Sequence, residues 1–137
     1  MTMNAWQFAS AMAGLIPHVD TATGHGLEAA ARVVKTEAKR VLGTYDYGWP
    51  ALSPITVANK GGRDTPGIDT RELRGSIDYT MVGNNEVCIG TDLAKGEWFE
   101  LGTSRQPPRS FLVGAAQHKG PEIVDAFQDA FFRHLFI

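Results

Sequence analysis

Asp69, Arg71, Glu72 and Arg74 crowd together in the middle of the chain. A carboxylate in such a cluster is the kind of group that serves as a general base or holds a divalent cation. The ordinary alternative is a salt-bridged turn ahead of the strand that follows. His25 and Glu28 stand three apart on a helical stretch, within reach of a shared proton or metal, but two such groups without a third make a weak metal site. His18, His118 and His134, like His25, fall near predicted helix ends and surface positions, where solvated side chains are expected. Cys88 sits between Val87 and Ile89 in a predicted strand and reads as a small packing residue rather than a nucleophile. The chain contains no G-x-S-x-G elbow, no H-E-x-x-H, no Walker glycine loop and no G-x-G-x-x-G. On this reading no residue is catalytic, cofactor-binding or metal-ligating, and the protein is not an enzyme.

The bulk numbers set the frame for those residues. A chain of 137 residues is long enough for one hydrophobic core and short for two, so one domain over residues 1–137 is expected. Hydrophobic residues at 43% and charged residues at 20% argue against wholesale disorder. A formal charge of -2 gives no global attraction to nucleic acid or an anionic membrane. The single cysteine cannot close an internal disulfide, which fits a reducing compartment. The first residues lack the positive flank of a signal peptide and the apolar runs are too short to span a bilayer, so the cytoplasm is the expected site of synthesis.

Stepping through the elements, Trp6, Ala9, Met12, Ala13 and Ile16 recur at helical spacing and predict a short amphipathic helix within residues 1–17, stopped by Pro17. A longer helix is predicted over 20–43, with Leu27, Ala31, Val34, Ala38 and Val41 on its apolar face and Gly43 as its cap. Its basic residues Arg32, Lys35, Lys39 and Arg40 read as a solvated face. Residues 44–69 form an irregular region punctuated by Gly and Pro, with a short helix from Pro54 to Lys60 capped by Ser53. The segment Gly61 to Gly67 shows no apolar anchor and is expected to be mobile. Ile77, Tyr79 and Met81, then a Gly83-Asn84-Asn85 turn, then Val87 and Ile89 predict a hairpin over 76–90. Short helices follow at Ala94 to Leu101 and from Phe111, the second capped by Ser110. A final helix over 121–137 opens on Pro121 and carries more aromatic residues than one small core needs. Trp6, Phe132 and Phe136 are therefore candidate subunit contacts. Arg105, Pro107, Pro108 and Arg109 join them, since an extended Pro-Pro loop ending in a bidentate donor is suited to gripping a neighbouring chain.

Three signatures run in order between Trp49 and Ala116: Trp49-Pro50-x-Leu52-Ser53-x-x-Thr56, then Asp69-Thr70-Arg71-Glu72-Leu73-Arg74-Gly75-Ser76-Ile77, then Gly102-Thr103 through Pro107-Pro108-Arg109 to Phe111-Leu112. In sequence and order they resemble the tail-component family of tailed bacteriophages, whose members sit in the neck or upper tail and join head to tail. Two positions depart from the family pattern: Arg71 stands where glycine is usual, and Ser110 where proline is. The resemblance implies an α+β subunit in which a long N-terminal helix and a C-terminal helix pack on a small antiparallel sheet. It assigns structural roles to Trp49, Leu52, Thr70, Leu73, Arg74, Ser76, Ile77, Gly102, Thr103, Phe111 and Leu112. It further implies a virion protein of the head-tail junction, forming a hexameric or dodecameric homo-oligomer ring around the DNA channel, with other neck, connector and tail-tube proteins as partners. DNA would pass through without specific binding. The competing readings are a small phage hydrolase or nuclease using Asp69, Glu72 or a histidine, and a transient assembly chaperone.

Overall fold

A computed structural model describes residues 2–68 and 71–136. Asp69 and Thr70 lie outside the described residues, and so do the roles expected of them. The fold is α+β: α1 (Ala5–Val41), α2 (Pro54–Asn59), α3 (Glu72–Ser76), β1 (Asp78–Val82), β2 (Glu86–Gly90), α4 (Ala94–Leu101), α5 (Leu112–His118) and α6 (Gly120–Leu135).

The two helices expected over 1–17 and 20–43 are one. α1 runs unbroken through Pro17 for 37 residues, about 55 Å at 1.5 Å per residue. Pro17 lacks the N–H that would bond the carbonyl of Ala13, at a local cost of about 3 kcal/mol. The helix nevertheless continues, because the turns on both sides of Pro17 keep their own hydrogen bonds and outweigh the single one lost. Asn4 opens it with a reciprocal capping box, its Oδ1 accepting from Gln7 N at 2.8 Å while Gln7 Oε1 accepts from Asn4 N at 3.0 Å. Once nucleated, each further turn adds bonds cheaply.

α6 runs back along α1, its Pro121 in the first turn as expected. The close approach requires Gly26, because a Cβ there would lie 2.7 Å from the Phe127 ring. The hairpin pairs Tyr79 with Ile89 and Met81 with Val87 on its half-buried face. Thr80 and Cys88 pair on the opposite face, so Cys88 is exposed, contrary to its expected packing role. Strand alternation alone requires this, because both neighbours of Cys88 point inward.

The core gathers Val34, Ala38, Val41 and Leu42 from α1 and its C-cap with Trp49, Ile68, Leu73, Ile77, Phe99, Phe111 and Ala115. It therefore sits at the C-terminal end of α1. The segment Gly61 to Gly67 does have an apolar anchor: Pro66 is fully buried, and its carbonyl accepts from Gly43 N at 2.7 Å. Lys60 Nζ ties the segment from inside, donating to the carbonyls of Thr65 and Ile68 at 2.8 and 3.1 Å.

Candidate interaction surfaces

The residues of the three ordered signatures converge on one place. Trp49 packs edge-on against Phe99, with ring centroids 5.3 Å apart, and Phe99 against Phe111 at 5.7 Å. Leu73, Ile77 and Phe111 are buried beside them. Arg74 reaches across to the end of α1, where its Nε donates to the Lys39 carbonyl at 3.0 Å and its Nη2 to the Leu42 carbonyl at 2.8 Å. It thus satisfies orphan acceptors at a helix C-terminus with a charged donor. Ser76 Oγ closes α3 on the Leu73 carbonyl at 2.7 Å and contacts Thr91 Oγ1. Thr103 Oγ1 accepts from Arg105 N at 3.1 Å, turning the loop back on itself. Gly102 takes a φ of 78°, and a Cβ there would lie 2.7 Å from Pro108 N. Leu52 and Leu112 are half-buried at the margin.

Arg109 corrects one expectation. It is 4% exposed, with Nε donating to the Pro50 carbonyl at 3.0 Å, Nη2 to the Ala51 carbonyl at 3.1 Å, and its guanidinium over the Phe99 ring. The grip is on its own chain, because a guanidinium this deep must be satisfied by buried carbonyls, and Pro50 and Ala51 supply them. Arg105, Pro107 and Pro108 of the same loop are exposed, and Arg105 and Pro107 line a groove that includes Trp98 and Leu52. The loop also hides a residue that the sequence reading missed. Glu100 on α4 turns its carboxylate onto the N-terminus of α5, accepting from Phe111, Leu112 and Val113 N at 2.9, 3.1 and 2.8 Å. Ser110, expected as the cap, accepts only from Gly114 N. Glu100 lies before the Pro-Pro loop in sequence, and nothing local marks it.

The charged candidates are spent in local pairs. Glu72 pairs with Lys95 at 2.8 Å. Glu28 accepts from Arg32 and from the Tyr79 hydroxyl at 2.7 and 3.0 Å, while His25 stacks on His134 with centroids 3.7 Å apart, so the imagined His25–Glu28 pair does not form. His118 stacks on Tyr47, leaving His18 exposed on α1. The basic face of α1 is paired rather than merely solvated: Lys35 holds Asp78 at 3.0 Å and lowers its pKa, chiefly through that hydrogen bond. Glu37, also missed, is buried beneath Arg40 at 2.5 Å, with Lys119 at 3.9 Å. The Tyr47 hydroxyl is buried and unsatisfied; burial raises its pKa, and the charge of Glu37 adds to the shift. Among the described residues no three His, Cys, Asp or Glu side chains gather as a cation site.

The remaining candidates lie elsewhere. Trp6 stands on the N-terminal part of α1, and Phe132 and Phe136 on the outer side of α6 and just past it, all exposed. The expected contact residues thus form two groups. One rims the loop near the C-terminal end of α1, and the other runs along α6 and the opposite end of α1. No family model, curated protein or solved structure matches this chain.

Proposed function

We propose that this chain is a structural virion protein of a tailed bacteriophage, a neck, tail-completion or tail-terminator component of the head-tail junction. Identical copies form a ring around the DNA channel and join connector to tail, with binding as the whole of the work. The observation that carries this reading is a division of labour. Most described residues that match the tail-component pattern are core anchors or backbone clips, and large apolar side chains outside it stand uncovered on α1 and α6. A subunit whose fold is fixed by its middle can spend its flanks on neighbours. The formal charge of -2 suits a passage that does not hold DNA.

The test is location. Antibody labelling of purified particles of the encoding phage should mark the head-tail junction, and electron microscopy of the isolated protein should give rings of fixed copy number. Presence in assembly intermediates but absence from finished particles would replace this reading with an assembly chaperone. Metal-dependent turnover abolished by Glu72→Ala in a folded protein would replace it with an enzyme.

A further inference from the structure

The N-terminal part of α1 stands clear of the body. From Ala5 to Thr21 every residue except Leu15 is exposed, and burial begins at Ala22, near the level where His134 of α6 stacks on His25. At 1.5 Å per residue this arm is about 25 Å long. It contains no Asp, Glu, Lys or Arg between Ala5 and Val19. At about 100° per residue, Phe8, Met12, Leu15, Ile16 and Val19 share one side, and Trp6 stands about 80° beyond Ile16. That side continues the line on which Val34, Ala38 and Val41 are buried further along the same helix. A helix with a wide apolar face and no charge is one that is normally covered. Trp6 is 78% exposed, Phe8 58%, Met12 50%, Ile16 69% and Val19 42%. With about 150–250 Å² for each aromatic side chain and somewhat less for the others, these leave roughly 600 Å² of apolar surface uncovered.

A second apolar surface is the seam between α1 and α6, lined by Leu27, Ala30, Val124, Phe127, Phe131 and Phe132. We propose that the arm of one copy of this chain seats in the α1/α6 seam of the next copy. Charge selects this seam for an uncharged helix, because no ionisable group lines it, whereas the groove beside Trp98 is lined by Lys60, Arg71, Glu72 and Lys95. Exposure supports the contact. Val124 and Phe132 of the seam are each more than half exposed, so docking the arm there covers apolar surface on both partners. Arm and seam are different patches, so the contact runs head to tail and propagates until rotation closes it. It supplies a subunit contact for the ring proposed above and rests on that reading for closure alone.

The test uses full-length protein with substitutions at exposed positions outside the core cluster, with circular dichroism to verify the fold of each variant. One variant carries Trp6→Glu with Ile16→Glu and spoils the arm; the other carries Phe132→Glu and spoils the seam. By sedimentation velocity the unaltered protein should associate with rising concentration. Each variant alone should associate about thirtyfold more weakly or less, as when a central interface residue is lost. Mixed, the two should form a one-to-one heterodimer and nothing larger, since only one intact arm and one intact seam remain. A solitary unaltered protein at all concentrations would overturn the proposal, showing an arm folded back or kept for another partner. So would a mixture without heterodimer, which indicates arm-to-arm pairing, or association indifferent to both variants. Rings persisting in the arm variant would remove this contact and leave the head-tail reading standing, whereas docking arms in a protein absent from virions would do the reverse.

Discussion

Arg71 holds a φ of 64°, the only positive φ outside glycine among the described residues. The turn thus carries a side chain in a backbone conformation that favours glycine. A left-handed conformation costs a residue with a Cβ about 1–2 kcal/mol, and the extra freedom of glycine in the unfolded chain returns about half of that. Arg71→Gly should therefore stabilise the protein by about 0.5–1 kcal/mol, read as a higher urea midpoint at unchanged slope. Glu100 makes the opposite case. Its carboxylate holds three successive amides at the start of α5, and a neutral amide oxygen is a weaker acceptor with one site fewer. Glu100→Gln should cost about 1–2 kcal/mol, with faster hydrogen exchange first at Phe111 to Val113.

Among the elements, α1 poses the sharpest question, because Pro17 interrupts its ladder inside the exposed arm. Pro17→Ala restores one hydrogen bond and removes a clash, so the arm's amides should exchange up to about a hundredfold more slowly, while those of the buried half stay unchanged. The end of α6 responds to pH. Burial lowers the pKa of His134, and the adjacent charges of His25 and Arg133 lower it further. The folded state then binds fewer protons than the unfolded state. Stability is full above the unfolded histidine value, near 6.5, and falls as pH drops from there through the lowered folded value. Acidification from pH 7.5 to 5 should loosen α6 at His134, and His134→Gln should flatten that dependence. These cases also mark how far the sequence reaches. Ser53 before Pro54, the Gly83-Asn84-Asn85 turn and Pro121 are local signals that place α2, the hairpin turn and α6. The strand expected from Ser76, by contrast, begins only at Asp78, because Glu72–Ser76 form α3 and Ile77 caps it. Passage through Pro17 depends on helix already formed on both sides, which no short window contains. Arg74 on the end of α1, Glu100 on α5 and the inward turn of Arg109 join residues far apart in the chain, so their roles emerge only once the core has brought those segments together. The candidate surfaces divide in the same way. The aromatic excess at Trp6, Phe132 and Phe136 is visible as composition, whereas the seam between α1 and α6 is a product of packing.

At the scale of the whole molecule, the buried core and the exposed arm occupy different ends of α1. The buried cluster begins at Val34 and closes around Phe111, which is fully buried, while Trp6 lies about 40 Å away along the helix axis at 1.5 Å per residue. Substitutions that far apart with no shared partners act independently. Phe111→Ala opens a cavity between Phe99 and Ala115 and should lower the unfolding free energy by about 3–5 kcal/mol, enough to threaten the fold of a domain this size. Trp6→Glu removes nothing from that cluster and places a charge in water, so it should leave the unfolding free energy within about 0.5 kcal/mol of the unaltered protein. The pair should be compared as dilute protein, where association contributes nothing to either midpoint. Equal losses in both would mean that the arm packs on the body and that α1 is a single cooperative unit. Loss in Phe111→Ala alone makes the arm a free element, available to a neighbour at no cost to the subunit that carries it.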